Sequence, residues 1–395
     1  MRTRWVDSWK GILIFLVVLG HVVGMVCHYT QGETSKFMSL CYKWIYLFHM
    51  PAFFVVVGYI NRTQIASRYA QFVAKRAKRL LVPYFFWGVV SIVVFLTMTA
   101  VMGGLQGTDR YYGARMIPKD WWQPFVSLLH AGGWPRGEGF RCNSVLWFLP
   151  TMFCTLIAWR LVAGCQWLVV GGERKTNNQQ LTTNNYASVL LAVAFLVIGG
   201  VMRFYVGRLP WGLDKVPRFL AFVYVGEVVA SCEVSRFLGF RVSEVSGLQG
   251  FRSFKVSKFQ GFKVSRLLSL GVFVICAVVL TWGAMIFPDR LMAFRSWQWY
   301  LVEAGLAVVG SVMTLVLARL VDCRLLAWMG IASLGIMVTH KFPIVFLQSV
   351  IGKFGWFRAF ERFETLAVAV GIAVVVTAVS WAVARLVRRW APWSC

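Results

Sequence analysis

Charge is scarce in this chain, and negative charge scarcer still. Charged residues make up 14% of the 395 positions, and Asp plus Glu number 15 against 41 Lys plus Arg. A soluble chain carries about 25% charged residues, so a soluble globular class is excluded. The nine cysteines show no CxxC or other metal-ligand spacing. Most fall in apolar runs as small hydrophobes, and no metal is expected. Cys27, Cys41 and Cys142 leave room for one disulfide on an oxidising side. No GxSxG elbow and no lipase-like triad occur. No small-residue cleavage site follows the first apolar run, so it is read as a retained span and not a leader.

What is present is hydrophobicity, 58% of the residues, gathered in runs of about twenty, the length that crosses about 30 Å of hydrocarbon. The fold class is therefore all-α, a polytopic membrane protein in the lipid bilayer. Ten spans are expected, at 11–28, 43–60, 81–102, 145–164, 186–204, 216–232, 267–287, 298–318, 325–350 and 365–384. An even number puts both termini on one side. The loop 61–80 carries Arg62, Arg68, Lys75, Arg76, Lys78 and Arg79 without an acid, whereas 29–42 has only Lys36 against Glu33. Early short loops dominate orientation, so the termini are expected to be cytoplasmic. The net charge of +26 follows from basic residues between spans and does not call for nucleic acid.

Two segments interrupt the pattern. The outer loop 103–144 is rich in Gly, Trp and Pro, and two readings stand: an aromatic platform for a sugar acceptor, or an interfacial aromatic belt. The inner loop 237–266 repeats every eleven residues from Gly239, Gly250 and Gly261. Phe240, Phe251 and Phe262 would form one stripe on a helix lying on an anionic leaflet. Its Gly, Val and Ser content disfavours a helix, and a low-complexity insertion peripheral to function is preferred.

Chemistry-bearing residues are few. His21 lies deep in the first span, where an ionisable group is costly and marks function by default. Lys10 is eleven residues earlier, about 20° out of register and about 16 Å away along a helix, on the same face but out of contact. Imidazole titrates near neutrality and suits a general base; the competing role is a histidine bonded between packed helices. His49 precedes Pro51, which would loosen the second span and expose carbonyls to a polar cavity. His340 likewise precedes Pro343, with Lys341 an added charge beside it. His28 reads as an interfacial residue and His130 as a loop residue. Arg76 and Arg79 share a helix face and could grip phosphate in bidentate fashion, although basic loops here also follow from topology. Glu227 must be paired or face a cavity. Arg203 and Arg218, at the outer ends of spans five and six, are candidates for an anionic acceptor. Trp147 reads as an anchor of the fourth span at the interface.

Five blocks, WVDSWKGILIFLVVLGH (5–21), FHMPAFFVVVGY (48–59), KRAKRLLVPYFFW (75–87), LWFLPTMF (146–153) and LGIMVTHKFPI (334–344), resemble in sequence and order the membrane-bound acyltransferase-3 superfamily. The likeness is to its small fucose 4-O-acetylase-like, polysaccharide O-acetyltransferase members. The family's R/K-x10-H motif maps onto Lys10 and His21, and its RxxR motif onto Arg76 and Arg79. The resemblance implies a bacterial inner-membrane, multi-pass O-acyltransferase with acetyl-CoA, or another short acyl-CoA, as donor. The acceptor would be a hydroxyl of a cell-surface or lipid-linked glycan. His21 would be catalytic, as base or as acyl carrier. Lys10, Arg76 and Arg79 would bind the donor; His49, His340 and Trp147 would contact the acceptor. The esterase-like soluble domain of larger members is not seen, so the whole chain, 1–395, is expected to act as one transmembrane domain. Competing classes are a glycan or acyl-intermediate transporter or flippase, and a glycan polymerase. The halves show no internal symmetry of the kind transporters often carry.

Overall fold

The computed structural model describes residues 4–29, 32–61, 68–101, 122–131, 140–169, 185–231, 258–288, 296–354, 365–391 and 393. Every regular element among them is helical. In chain order these are α1 (Arg4–Tyr29), α2 (Gly32–Tyr46), α3 (His49–Asn61), α4 (Tyr69–Val101), α5 (Gln123–Leu129), α6 (Phe148–Val169) and α7 (Asn185–Val201). They are followed by α8 (Val216–Ser231), α9 (Lys258–Ile286), α10 (Trp297–Leu320), α11 (Arg324–Ile331), α12 (Ser333–Thr339), α13 (Lys341–Phe354) and α14 (Thr365–Trp390).

Eight described helices are long and apolar enough to cross a membrane. A ninth counts if α11 with its continuation Ser333–Gln348, bent by 64°, is one span. The expected tenth is α8. Its 16 residues reach only about 24 Å at 1.5 Å per residue, short of a full crossing. Most of the loop 103–144 and of the repeat segment 237–266 lies outside the described residues. Of the outer loop, α5 is described, and α9 already begins at Lys258, within the repeat segment. Among the described residues Cys27, Cys41 and Cys142 are in no disulfide.

Helix α1 is the axis of the bundle and packs against α2, α3, α10, α11, α12, α13 and α14. Its Trp9, Leu13, Ile14, Val18, Val22 and Val23 are wholly buried. Helices α7, α9 and α14 instead present apolar side chains outward, including Leu190, Ile275, Val278, Trp282 and Val375, as a lipid-facing shell does. With no apolar advantage over lipid tails, helices in a bilayer associate through close packing of small residues. Two crossings use it reciprocally. A Cβ on Gly11 of α1 would overlap the carbonyl of Leu326 in α11, and one on Gly330 of α11 would overlap the carbonyl of Asp7. Gly58 of α3 and Gly226 of α8 meet Val223 and Val55 in the same way. Polar contacts fasten the first crossing at its base: Ser8 Oγ donates to Asp322 Oδ1 at 2.9 Å, and Arg4 pairs with Asp322 at 2.9 Å.

Proline interrupts two spans, apart from the 64° bend between α11 and α12, which lies at Ala332. Pro lacks an N–H and is tolerated in the first turn of a helix. Pro51 and Pro343 are each the third residue of a new helix, α3 and α13. The chain therefore turns at Leu47–Phe48 and at His340. The buried ring of Phe48 fills the first turn, seated on Gly310 of α10.

Replacing Gly330 by Val should force α1 and α11 apart and destabilise the protein by about 1–3 kcal/mol. Thermal melts in detergent should show a clear drop in midpoint. Gly371 of α14, with nothing within 4 Å of its would-be Cβ, is the control: Gly371→Val should leave the midpoint nearly unchanged.

Candidate functional site

The two breaks bring histidines to the same side of the bundle axis. His49 opens α3 and His340 stands between α12 and α13; both are buried. The ring of His21, on α1, lies 5.2 Å from that of His340, centroid to centroid. Tyr46, at the end of α2, sits between the other two. Its hydroxyl is 3.2 Å from His21 Nδ1, and its ring is 4.7 Å from that of His49. Tyr42 stacks on Tyr46 at 3.9 Å. The order is thus His49, Tyr46, His21, His340.

Hydrogen bonds fix which nitrogens are available. His49 Nδ1 is 2.9 Å from the carbonyl of Ile45, and His340 Nδ1 is 3.0 Å from that of Ile336. A carbonyl only accepts, so both Nδ1 atoms carry the hydrogen. In the neutral ring Nε2 then holds a lone pair. His340 Nε2 is buried with no hydrogen-bond partner among the described residues. A buried acceptor left so is uncommon in a folded protein.

The basic candidates sit elsewhere. Lys10 pairs with Asp7 of its own helix at 2.5 Å. Arg76 donates to Asn61 Oδ1 at 2.6 Å and lies 4.9 Å from the Phe72 centroid, while Arg79 is exposed. Asn61 is at the far end of α3 from His49, twelve residues or about 18 Å away. Trp5 and Trp9 of α1 meet Tyr59 of α3 edge to face at 5.4 and 6.2 Å. The Lys10 end of α1 and the Asn61–Arg76 end of α3 are therefore neighbours. The structure forms two groups, imidazoles at one level and cations at the other, joined along α1 and α3.

Trp147 packs on Phe219 at 6.1 Å, with Lys215 Nζ 4.5 Å from its centroid, and belongs to neither group. Arg203 and Arg218 both pair with Glu303, at 3.0 and 2.8 Å, over the ring of Tyr300. Glu227 is buried and accepts from Trp159 Nε1 at 2.6 Å and Ser188 Oγ at 3.2 Å, tying α8 to α6 and α7. His130 caps α5 through Val126, and the side chain of His28 lies outside the described residues. Among the described residues no three His, Cys, Asp or Glu side chains are grouped to hold a metal ion. Tyr46 is the residue beside the histidines that sequence reasoning missed; it had a faint signal, three residues before His49 in the same span.

An imidazole group enclosed by broken apolar helices defines the class, a multi-pass membrane protein with a polar site inside its bundle. The chain belongs to the acyltransferase-3 superfamily: the family described as acyltransferase domain matches residues 3–385. It is similar to the nodulation protein NolL of Mesorhizobium japonicum, 32% identical over 126 residues, 31% of this chain and 33% of that protein. NolL of Sinorhizobium fredii is 36% identical over 109 residues, 26% of this chain and 29% of that protein. The chain thus spans about a third of the length of the curated relatives it matches. No solved structure matches it.

Removing the buried carboxylate by Glu227→Leu leaves the Trp159 N–H without this acceptor and should cost about 1–3 kcal/mol. Glu227→Gln keeps an acceptor oxygen and should retain most of the stability. The thermal midpoints of the two variants, compared with the parent, check this.

Proposed function

We propose that the protein is a bacterial inner-membrane O-acyltransferase that moves an acyl group, most simply acetyl, from acyl-CoA to a glycan hydroxyl. The observation that carries this reading is the buried row His49, Tyr46, His21, His340, in which two histidines stand at helix restarts before a proline and the third comes from α1. Family membership supplies the reaction class, and the cationic level supports the donor. Acyl-CoA enters from the cytoplasmic side with its phosphates toward Arg76 and Arg79, and Lys10 adds positive charge at the foot of α1. The separation between the two levels suits an extended pantetheine arm that delivers the thioester to the imidazoles.

His21 takes the proton of the acceptor hydroxyl, and the oxygen bonds to the thioester carbonyl carbon. The carbon–sulfur bond then breaks, and the thiolate leaves and recovers the proton. Tyr46 holds the His21 ring through its hydroxyl. His49 and His340 orient the acceptor through their Nε2 atoms, which accept hydrogen bonds from hydroxyls. The acceptor glycan is lipid-linked or exported.

In cells expressing the protein, His21→Ala should lower O-acetylation of surface glycan by about 10²–10⁴-fold, the span of a lost general base, at unchanged protein level. Retained acetylation would remove His21 from the chemistry. In proteoliposomes, Arg76→Ala with Arg79→Ala should abolish saturable binding of labelled acetyl-CoA. Absence of such binding by the parent protein would instead favour a transporter.

A further inference from the structure

Asn143 stands outside every motif discussed above, in the 3-10 turn Arg141–Trp147 before α6. It is fully buried, and its backbone departs from the turn's helical geometry, at φ −152° and ψ 84°. Its side chain makes two bonds to two other elements. Nδ2 donates to Ser91 Oγ of α4 at 3.1 Å and to the carbonyl of Val338 in α12 at 3.1 Å. Ser91 is itself anchored, donating to the carbonyl of Trp87 at 2.6 Å.

Val338 is two residues before His340, in the last turn of α12. The carbonyls of a helix end lack intrahelical partners, and inside a membrane each one left bare is costly. Around this turn Thr339 Oγ1 donates to the carbonyl of Gly335 at 2.8 Å and to that of Ser380 in α14 at 3.2 Å, and Ile336 accepts from both the ring and the backbone of His340. Asn143 covers Val338. It thus ties the His340 turn by hydrogen bond to α4 and the 3-10 turn.

Packing alone does not account for an asparagine here. Its Oδ1 is buried with no hydrogen-bond donor among the described residues, a cost that an apolar residue of similar size would avoid.

We infer that Asn143 is a positioning residue of the histidine site: it pins the broken end of α12 so that the His340 ring keeps its place beside His21. This rests on the proposed function for its catalytic consequence, but not for its structural one. The test uses the full-length protein in nanodiscs, with Asn143→Ala and, from the opposite side of the same bond pair, Ser91→Ala.

Amide hydrogen exchange at 338–342 should rise by at least about tenfold in Asn143→Ala, as a local opening, with α7 and α9 unchanged. In the acyl-transfer assay kcat should fall by about 10–100-fold, the scale of a small misplacement, with the KM for acetyl-CoA unchanged. Ser91→Ala should show the same signs with smaller size. Wild-type exchange and kcat in a folded Asn143→Ala protein would overturn the inference. So would a rise in donor KM with kcat kept. If the parent protein transfers no acyl group while exchange at 338–342 still rises in the variant, the enzyme reading fails and the positioning role stands.

Discussion

Everything in the site depends on how closely α1 and α11 approach. Their backbones touch through Gly11 and Gly330 with no side chain between them. Lipid offers no hydrophobic gain for bringing two apolar helices together, so dispersion at short range and a few polar fasteners must do it. Because α11 continues through the bend into α12, this contact sets where His340 falls relative to α1. A crossing wider by one methyl group would carry His340 away from His21. The Ser8 and Arg4 contacts to Asp322 at the foot of the crossing fix its register.

Proline supplies the second element. Pro51 and Pro343 each demand a fresh helix start, and each follows a histidine by two or three residues. A break at membrane depth exposes carbonyls, which are tolerated only where protein groups cover them. The histidines add a second donor to carbonyls that already hold a backbone N–H, Nδ1 reaching Ile45 and Ile336. Those bonds set the tautomer and leave Nε2 with its lone pair.

The apolar runs and the span count to within one or two were legible in the chain, and His21, His49 and His340, singled out there as candidates, are neighbours in the fold. Lys10 was placed correctly relative to His21, on one face and out of reach, because helix geometry is fixed by spacing alone. Trp147 was grouped with the histidines but packs against Phe219 and Lys215. Arg203 and Arg218, read as facing an anionic acceptor, are held by Glu303. Such pairings join residues about a hundred positions apart, and no local pattern announces them.

The sequence by itself determined what each segment must be: apolar length makes a span, a proline near its middle makes a break, and a histidine inside it signals a site. Those are short-range consequences of backbone chemistry in a medium without water. Only the tertiary structure decided that three such histidines share one place with Tyr46, and that the cations stand a helix-length away. Which side chains meet depends on helix crossings set by glycine contacts between segments hundreds of residues apart, and neighbours along the chain carry no record of those.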